Sequence, residues 1–206
     1  MISRSQSFQD KFAYSILGEN STYLEIGARW PVKMSNTYEL EVSHNWKGIS
    51  LELDVQMKPF WDGTPERKNK IYWNDALTFD YRDAILSNNL PLRLGYLSCD
   101  IEPPFNTFNA LQRILNQGIS FSCITFEHDL YSYKEKNFCD LATEYLILHG
   151  YKVAVRNVTH VDKKGIENHY ETWYVNNDIP FEEIDFKDWI KACLLYTSPS
   201  PRDQRG

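Results

Sequence analysis

The chain has 206 residues and a formal net charge of −6, and 42% of its residues are hydrophobic, 15% aromatic and 24% charged. This composition excludes a disordered chain, a collagen-like repeat and a disulfide-stapled miniprotein, and the length suits one domain. No apolar run approaches the roughly 18 residues of a membrane helix, so no membrane partner is predicted. The first residues lack the apolar stretch of a secretory signal, and the acidic balance disfavours a nucleic-acid partner.

Residues 193–206 differ sharply from the sequence before them. The run from Cys193 to Asp203 reads as the translation of a sequencing-library adapter, and such segments are left out of fold reasoning. We therefore expect one domain over residues 1–192, whose C-terminus is a candidate for truncation by the adapter, and a non-native disordered tail over 193–206. The cysteines Cys99, Cys123 and Cys139 remain, and their spacing predicts neither a disulfide framework nor a zinc site. Unpaired cysteines favour a cytoplasmic location.

Apolar periodicity predicts an alternation of helices and strands. Helices are expected at residues 7–17, 35–45, 80–88, 105–116 and 137–149, and from near Glu182. Strands are expected at residues 22–27, 48–53, 70–75, 94–101, 121–127, 151–157 and 169–176. Ser7 is the expected N-cap of the first helix and Gly18 its end, and Ser35 or Asn36 is expected to cap the second.

This order predicts an α/β fold, with a mostly parallel sheet, helices on both faces and an antiparallel C-terminal hairpin. Residues 158–168 are predicted as the polar loop of that hairpin. Residues 55–69 are predicted as a surface loop or short helix, where substrate contacts usually lie.

Acidic residues follow the strands of the predicted sheet at the points where five consecutive strands end. In an open parallel sheet, ligands bind beyond the carboxyl ends of the strands, where the strand order reverses. The pattern therefore favours a site that binds hydroxyls, amines or a cation. The acidic residues are Glu25, Glu52, Asp54, Asp75, Asp100, Glu102, Glu127 and Asp129.

Gly27 and Glu52 suggest which ligand this edge binds. Gly27 follows the first strand and allows a close approach of the backbone, and Glu52 ends the next strand, where an acidic residue holds ribose hydroxyls. Neither G-x-G-x-x-G nor a phosphate-binding P-loop is present, and a single glycine cannot wrap a pyrophosphate. A nucleoside without a pyrophosphate fits better, which favours S-adenosyl-L-methionine (SAM) over NAD.

Several segments in series resemble the FkbM-type SAM-dependent methyltransferases, and together they cover nearly all of residues 3–190. They are the S-Q-S-F-Q-D-K-F run at 5–12, Y-L-E-I-G-A at 23–28, P-V at 31–32 with S-N-T-Y at 35–38, W-K-G-I at 46–49 with L-E at 51–52, Y-L-S-C-D-I-E at 96–102, I-T-F-E-H at 124–128 and Y-E-T-W-Y-V at 170–175. The resemblance implies a Rossmann-like seven-stranded methyltransferase fold and methyl transfer to a hydroxyl of a small molecule, sugar or glycan.

The resemblance also implies roles for individual residues. Glu25, Gly27 and Ala28 would lie near the methionine part and ribose of SAM, Glu52 would bind the ribose hydroxyls, and Asp75 with Ala76 would lie beside the adenine. Asp100 and Glu102 would lie between cofactor and acceptor. A hydroxyl acceptor also needs a base, for which Asp100 and His128 are the candidates. Two departures from the family pattern are Arg29-Trp30 after Gly-Ala and Pro103-Pro104 after Glu102.

Two other functions remain open at this point. The proline pair stiffens the loop and removes two backbone donors, which is compatible with a non-catalytic relative that binds SAM or a sugar nucleotide. A metal hydrolase built on Asp54, Asp75, Asp100, Glu102 and Asp129 lacks the histidine-rich pattern of a metal site. His160 and His169 are predicted as surface residues, and Trp173 as a core residue.

Overall fold

The computed structural model describes residues 2–132, 137–162 and 164–197, with side chains up to residue 193. Within these ranges, the strands are β1 (Thr22–Ile26), β2 (Lys47–Glu52), β3 (Lys70–Trp73), β4 (Arg93–Cys99), β5 (Ser120–Glu127), β6 (Tyr151–Val161), β7 (Glu167–Asn176) and β8 (Ile184–Asp185). The helices are α1 (Gln9–Leu17), α2 (Tyr38–His44), α3 (Lys58–Asp62), α4 (Tyr81–Ser87), α5 (Pro104–Asn116), α6 (Phe138–Leu148) and α7 (Phe186–Thr197).

The strands form one mixed sheet in the order β3-β2-β1-β4-β5-β7-β6-β8. The first five strands pair in parallel, and β7 pairs antiparallel with both β5 and β6. The predicted α/β architecture with a terminal hairpin is confirmed. The chain runs outward from β1 to β3 and then returns to place β4 beside β1, so the strand order reverses between β1 and β4. A ligand site is expected beyond the carboxyl ends of these two strands.

Apolar side chains cover both faces of the sheet, which is why its central strands are buried. One cluster includes Leu24, Leu97 and Ile124 from β1, β4 and β5, together with residues of α4, α5 and α6. The other lies against α1 and α7 and includes Phe12 and Trp173. Trp173 is fully buried, as predicted.

Hydrogen bonds at the ends of α1 and α2 test the predicted helix boundaries. Ser7 does not cap α1, since its hydroxyl accepts a bond from the Tyr170 hydroxyl and donates to the carbonyl of Thr159. Ser35 does serve the start of α2, because its hydroxyl accepts bonds from the backbone N–H groups of Thr37 and Tyr38. Gly18 closes α1 through its N–H bond to Tyr14, as predicted.

The C-terminal hairpin and the last helix also differ from the prediction. The segment predicted as a loop is mostly strand, because the turn is compact: the Asp162 carboxylate accepts bonds from the N–H groups of Lys164 and Ile166. The last helix begins at Phe186 and not near Glu182, since Ile184 and Asp185 first pair with β6. It continues to Thr197 and so includes the first five residues of the predicted tail, whose non-native origin stays a prediction. Residues 198–206 lie outside the described residues.

Candidate functional site

A cavity of about 700 Å³ opens at the carboxyl ends of β1, β2, β3 and β4, where the strand order reverses. A cavity of this size and position suits a small-molecule ligand. All eight of the predicted cofactor and catalytic positions from Glu25 to Glu102 line this cavity, and five of them are acidic. The acidic side chains that line it are Glu25, Glu52, Asp54, Asp75, Asp100, Glu102 and Glu127, and Gly27, Ala28 and Ala76 complete the predicted set.

Gly27 is required by a close approach between two strand ends. Its φ is +80°, and a Cβ atom built there would lie 1.6 Å from the carbonyl oxygen of Asp100. The N–H groups of Gly27 and Ala28 both donate to the carbonyl of Leu51. Gly27 thus lets the ends of β1, β2 and β4 converge and leaves the backbone exposed to the cavity.

Glu25 is held in a buried polar network at the base of the cavity. Its Oε2 accepts bonds of 2.8 Å from the hydroxyls of Thr37 and Ser50 and lies 3.5 Å from the buried guanidinium of Arg67. Burial raises the pKa of Glu25, and Arg67 and these two hydroxyls oppose the rise. The network fixes the carboxylate at the cavity wall.

Glu52 joins the two loops that form the rim of the cavity. Its Oε2 accepts a bond from the backbone N–H of Arg29 and its Oε1 accepts one from the N–H of Asp54. The carboxylate is therefore positioned before any ligand arrives. The indole of Trp61 donates to the carbonyl of Arg29 and supports the same rim.

Asp75 and Ala76 form the side of the cavity beyond β3. The Asp75 carboxylate accepts a bond from the N–H of Leu77 and so shapes the loop that follows the strand. Ala76 is buried and its carbonyl accepts a bond from the hydroxyl of Tyr81. Both residues line the cavity, and the adenine contact that the resemblance implies for them stays a prediction.

Asp100 and Glu127 form a hydrogen-bonded carboxyl pair at the ends of β4 and β5. Burial raises the pKa of Asp100 to about 6, and hydrogen bonding to Glu127 opposes that rise. Burial and the charge of Asp100 raise the pKa of Glu127 far above its usual range. The two carboxyl groups therefore share one proton at neutral pH.

Glu102 and Asp129 lie next to this pair, because the oxygens of Glu102, Glu127 and Asp129 are all within 4.8 Å of one another. Burial raises the pKa of Glu102, and the nearby Asp129 raises it further. Pro103 and Pro104 then begin α5 at its N-terminus, where proline is well tolerated.

His128 is not part of the cavity wall. Its side chain is 1% exposed, with Nε2 3.1 Å from the hydroxyl of Thr172 and Nδ1 accepting a bond from the N–H of Leu130. Burial lowers the pKa of His128 to about 3. His128 is not among the residues that line the cavity, and its ring bonds to Thr172 and Leu130, so the role of catalytic base stays a prediction that this placement does not favour.

The sequence did not predict Asn36 or Glu127 as cofactor or catalytic residues, although both line the cavity. Asn36 is 8% exposed and lines the cavity, its Nδ2 donates to the Ser98 hydroxyl, and its buried Oδ1 has no hydrogen-bond partner. Gln9 and Tyr170 also line the cavity and are joined by a 3.0 Å bond. The S-N-T-Y block pointed to Asn36, whereas nothing local predicted that α1 would reach the site.

Comparisons with solved structures define the class of fold. An rRNA methylase from Streptococcus thermophilus superposes with a TM-score of 0.52 at 12% identity, covering 85% of this chain and 98% of that one. The 23S rRNA methyltransferase ErmE gives 0.54 at 13% identity, covering 97% and 81%. A Streptococcus pneumoniae protein in complex with SAM gives 0.52 at 9% identity, covering 88% and 76%.

The chain therefore has the Rossmann-like fold of the SAM-dependent methyltransferases. No protein-family model matches the sequence, and no curated protein matches it significantly. The described helices include none with the length and hydropathy needed to cross a membrane.

Proposed function

We propose that this protein is a SAM-dependent methyltransferase of the FkbM type that methylates a hydroxyl of a small molecule, sugar or glycan in the cytoplasm. The observation that carries the proposal is the acidic cavity at the reversal point of a methyltransferase fold, lined by Glu25, Gly27, Glu52, Asp75 and Asp100. These are the positions at which the sequence resemblance places the cofactor.

The residues present fit SAM. The buried, unpartnered Oδ1 of Asn36 offers an acceptor to a donor such as an ammonium group. Glu25 and Asp100 give the wall the negative charge that favours a sulfonium in a partly dry site. In this proposal Glu52 holds the ribose hydroxyls, and Asp75 with Ala76 borders the adenine. SAM, when bound, supplies the methyl group on a positively charged sulfur.

The chain's own residues contribute positioning and proton removal. Methyl transfer depends on alignment of the acceptor oxygen, which the fixed carboxylates of the wall provide. In the proposal, Asp100 accepts the hydroxyl proton of the acceptor, so the Asp100–Glu127 pair goes from one proton to two. The hydrogen bond with Glu127 keeps Asp100 in place, and Glu102 binds the acceptor. His128 is left out of this mechanism because it does not reach the cavity.

The acidic wall favours a neutral hydroxyl compound over RNA as the acceptor. Phosphates of a nucleic acid would meet the carboxylates of Asp54 and Glu102, and like charges at short range repel. The neighbouring solved structures named as rRNA methylases share the fold at low identity, so RNA is the contrasting acceptor in any assay.

The proposal is tested by measuring S-adenosylhomocysteine formation with a panel of sugars, glycans and hydroxylated small molecules, with RNA alongside. We expect turnover with a hydroxyl compound, and in Asp100→Asn a loss of kcat of at least about a hundredfold at saturating SAM. Turnover confined to RNA would overturn the choice of acceptor. SAM binding without turnover on any acceptor would favour the non-catalytic alternative suggested by Pro103-Pro104.

A further inference from the structure

A second cluster of reactive side chains lies behind the cavity wall. It consists of His128 after β5, Cys139 in the first turn of α6 and His169 on β7. Each offers one ligand atom, and the three atoms all lie within 4.8 Å of one another. They come from three separate elements, separated by 11 and 30 positions in the chain, so no short metal-binding motif marks them.

The arrangement of the three side chains is close to that of the ligands around a bound metal ion. The rings of His128 and His169 meet edge to face, with centroids 4.8 Å apart. The Thr172 hydroxyl lies between His128 and Cys139, 3.1 Å from Nε2 of the first and 3.5 Å from Sγ of the second. Tetrahedral zinc at 2.0–2.3 Å from each ligand sets those ligands about 3.5 Å apart, so a contraction of about 1 Å by side-chain rotation completes the site.

The chemistry of the three groups selects the kind of metal. The ligand atoms that the cluster offers are two imidazole nitrogens and one thiol sulfur. Two imidazoles and one thiol suit zinc and similar borderline-soft divalent ions, whereas magnesium and calcium prefer oxygen ligands.

We propose that His128, Cys139 and His169 bind one zinc ion, with a water molecule or the Thr172 hydroxyl in the fourth position. Binding forms two Zn–N bonds and one Zn–S bond, and the thiol proton of Cys139 is released to solvent. The ion ties the first turn of α6 to β5 and β7, next to Glu127 and Tyr170 of the cavity wall. Such a site would depart from the expectations that the cysteine spacing gives no zinc site and that His169 is a surface residue.

Cobalt(II) is the probe, because it substitutes for zinc and reports its ligands by its absorption. The full chain, freed of metal with a chelator, is titrated with Co²⁺ and then with Zn²⁺. We expect one Co²⁺ per chain, a thiolate-to-metal charge-transfer band, the visible bands of tetrahedral cobalt, and displacement by Zn²⁺. In Cys139→Ser the charge-transfer band is lost and binding weakens at least about tenfold. Cys193 is a half-buried cysteine on α7, and the matched control Cys193→Ser is expected to keep the charge-transfer band and the cobalt affinity.

Two results would overturn the assignment. A folded wild-type chain that binds no stoichiometric cobalt has no such site. Cobalt bound without a thiolate band, or equally by Cys139→Ser, would place the metal elsewhere, for example at the carboxylates of Glu102, Glu127 and Asp129. Should Cys139→Ser not fold, His169→Gln serves in its place: the thiolate band is then retained with weaker binding, and unchanged affinity contradicts the proposal.

Discussion

Gly27 carries a constraint that no other residue type satisfies. Its φ of +80° is costly for any side chain, and the space beside it is taken by the carbonyl of Asp100. We expect Gly27→Ala to lower the free energy of unfolding by at least about 2 kcal/mol and to abolish SAM binding, because the ends of β1 and β4 must separate.

Gly150 provides the matched control for this substitution. Its φ is +84°, but nothing lies within 4 Å of a Cβ atom built there. Gly150→Ala therefore carries the conformational cost alone, about 1 kcal/mol, without loss of SAM binding. Denaturant unfolding and calorimetry distinguish the two variants, and equal losses in both would contradict the close-approach argument.

The raised pKa of Asp100 predicts how the rate of the proposed reaction depends on pH. Because burial raises its pKa to about 6, the carboxylate is protonated below that pH and cannot accept a proton. We expect kcat/KM for a hydroxyl acceptor to fall tenfold per pH unit below about 6 and to level off above it. A profile that stays flat from pH 5 to 8 in the wild-type protein would remove Asp100 from the role of base.

At the scale of elements, the packing of Trp189 predicts that α7 is part of the folded core. Trp189 is 5% exposed and meets the rings of Phe12, Trp173 and Phe186. We expect Trp189→Ala to lower the free energy of unfolding by about 3–5 kcal/mol, because it leaves a cavity between α7, α1 and β7. The exposed neighbour Lys187 is the control, and Lys187→Ala is expected to change stability by less than about 1 kcal/mol. Equal stability of the Trp189 variant and the wild type would show that α7 is not part of the core.

Elements were predicted well where one physical signal dominated. The alternation of buried strands and amphipathic helices identified the sheet and its parallel half, and Gly18 identified the end of α1. The boundaries that failed depended on distant partners: Ser7 bonds to Tyr170 rather than capping α1, and Ile184 pairs with β6 before α7 begins. Such long-range contacts leave no mark in the local sequence.

In the molecule as a whole, the location of the site could be predicted from the sequence, whereas the orientation and pairing of its side chains could not. The rule that ligands bind at the carboxyl ends of parallel strands is enough to predict that Glu25, Glu52, Asp75 and Asp100 lie together. The orientation of a side chain is decided by packing, however, so the same rule included His128, which turns toward β7. The pairing of Asp100 with Glu127 and the buried acceptor of Asn36 also required the three-dimensional structure.

Calorimetric titration of the full chain with SAM and S-adenosylhomocysteine tests the account most directly. We expect micromolar dissociation constants, weakened at least about tenfold in Glu52→Ala, because the ribose loses its acceptor and the rim loses its bonds to Arg29 and Asp54. Glu144→Ala, which removes an exposed acidic residue from α6, is the control and leaves both constants unchanged. A folded protein that binds neither compound would contradict the proposal that this cavity holds SAM.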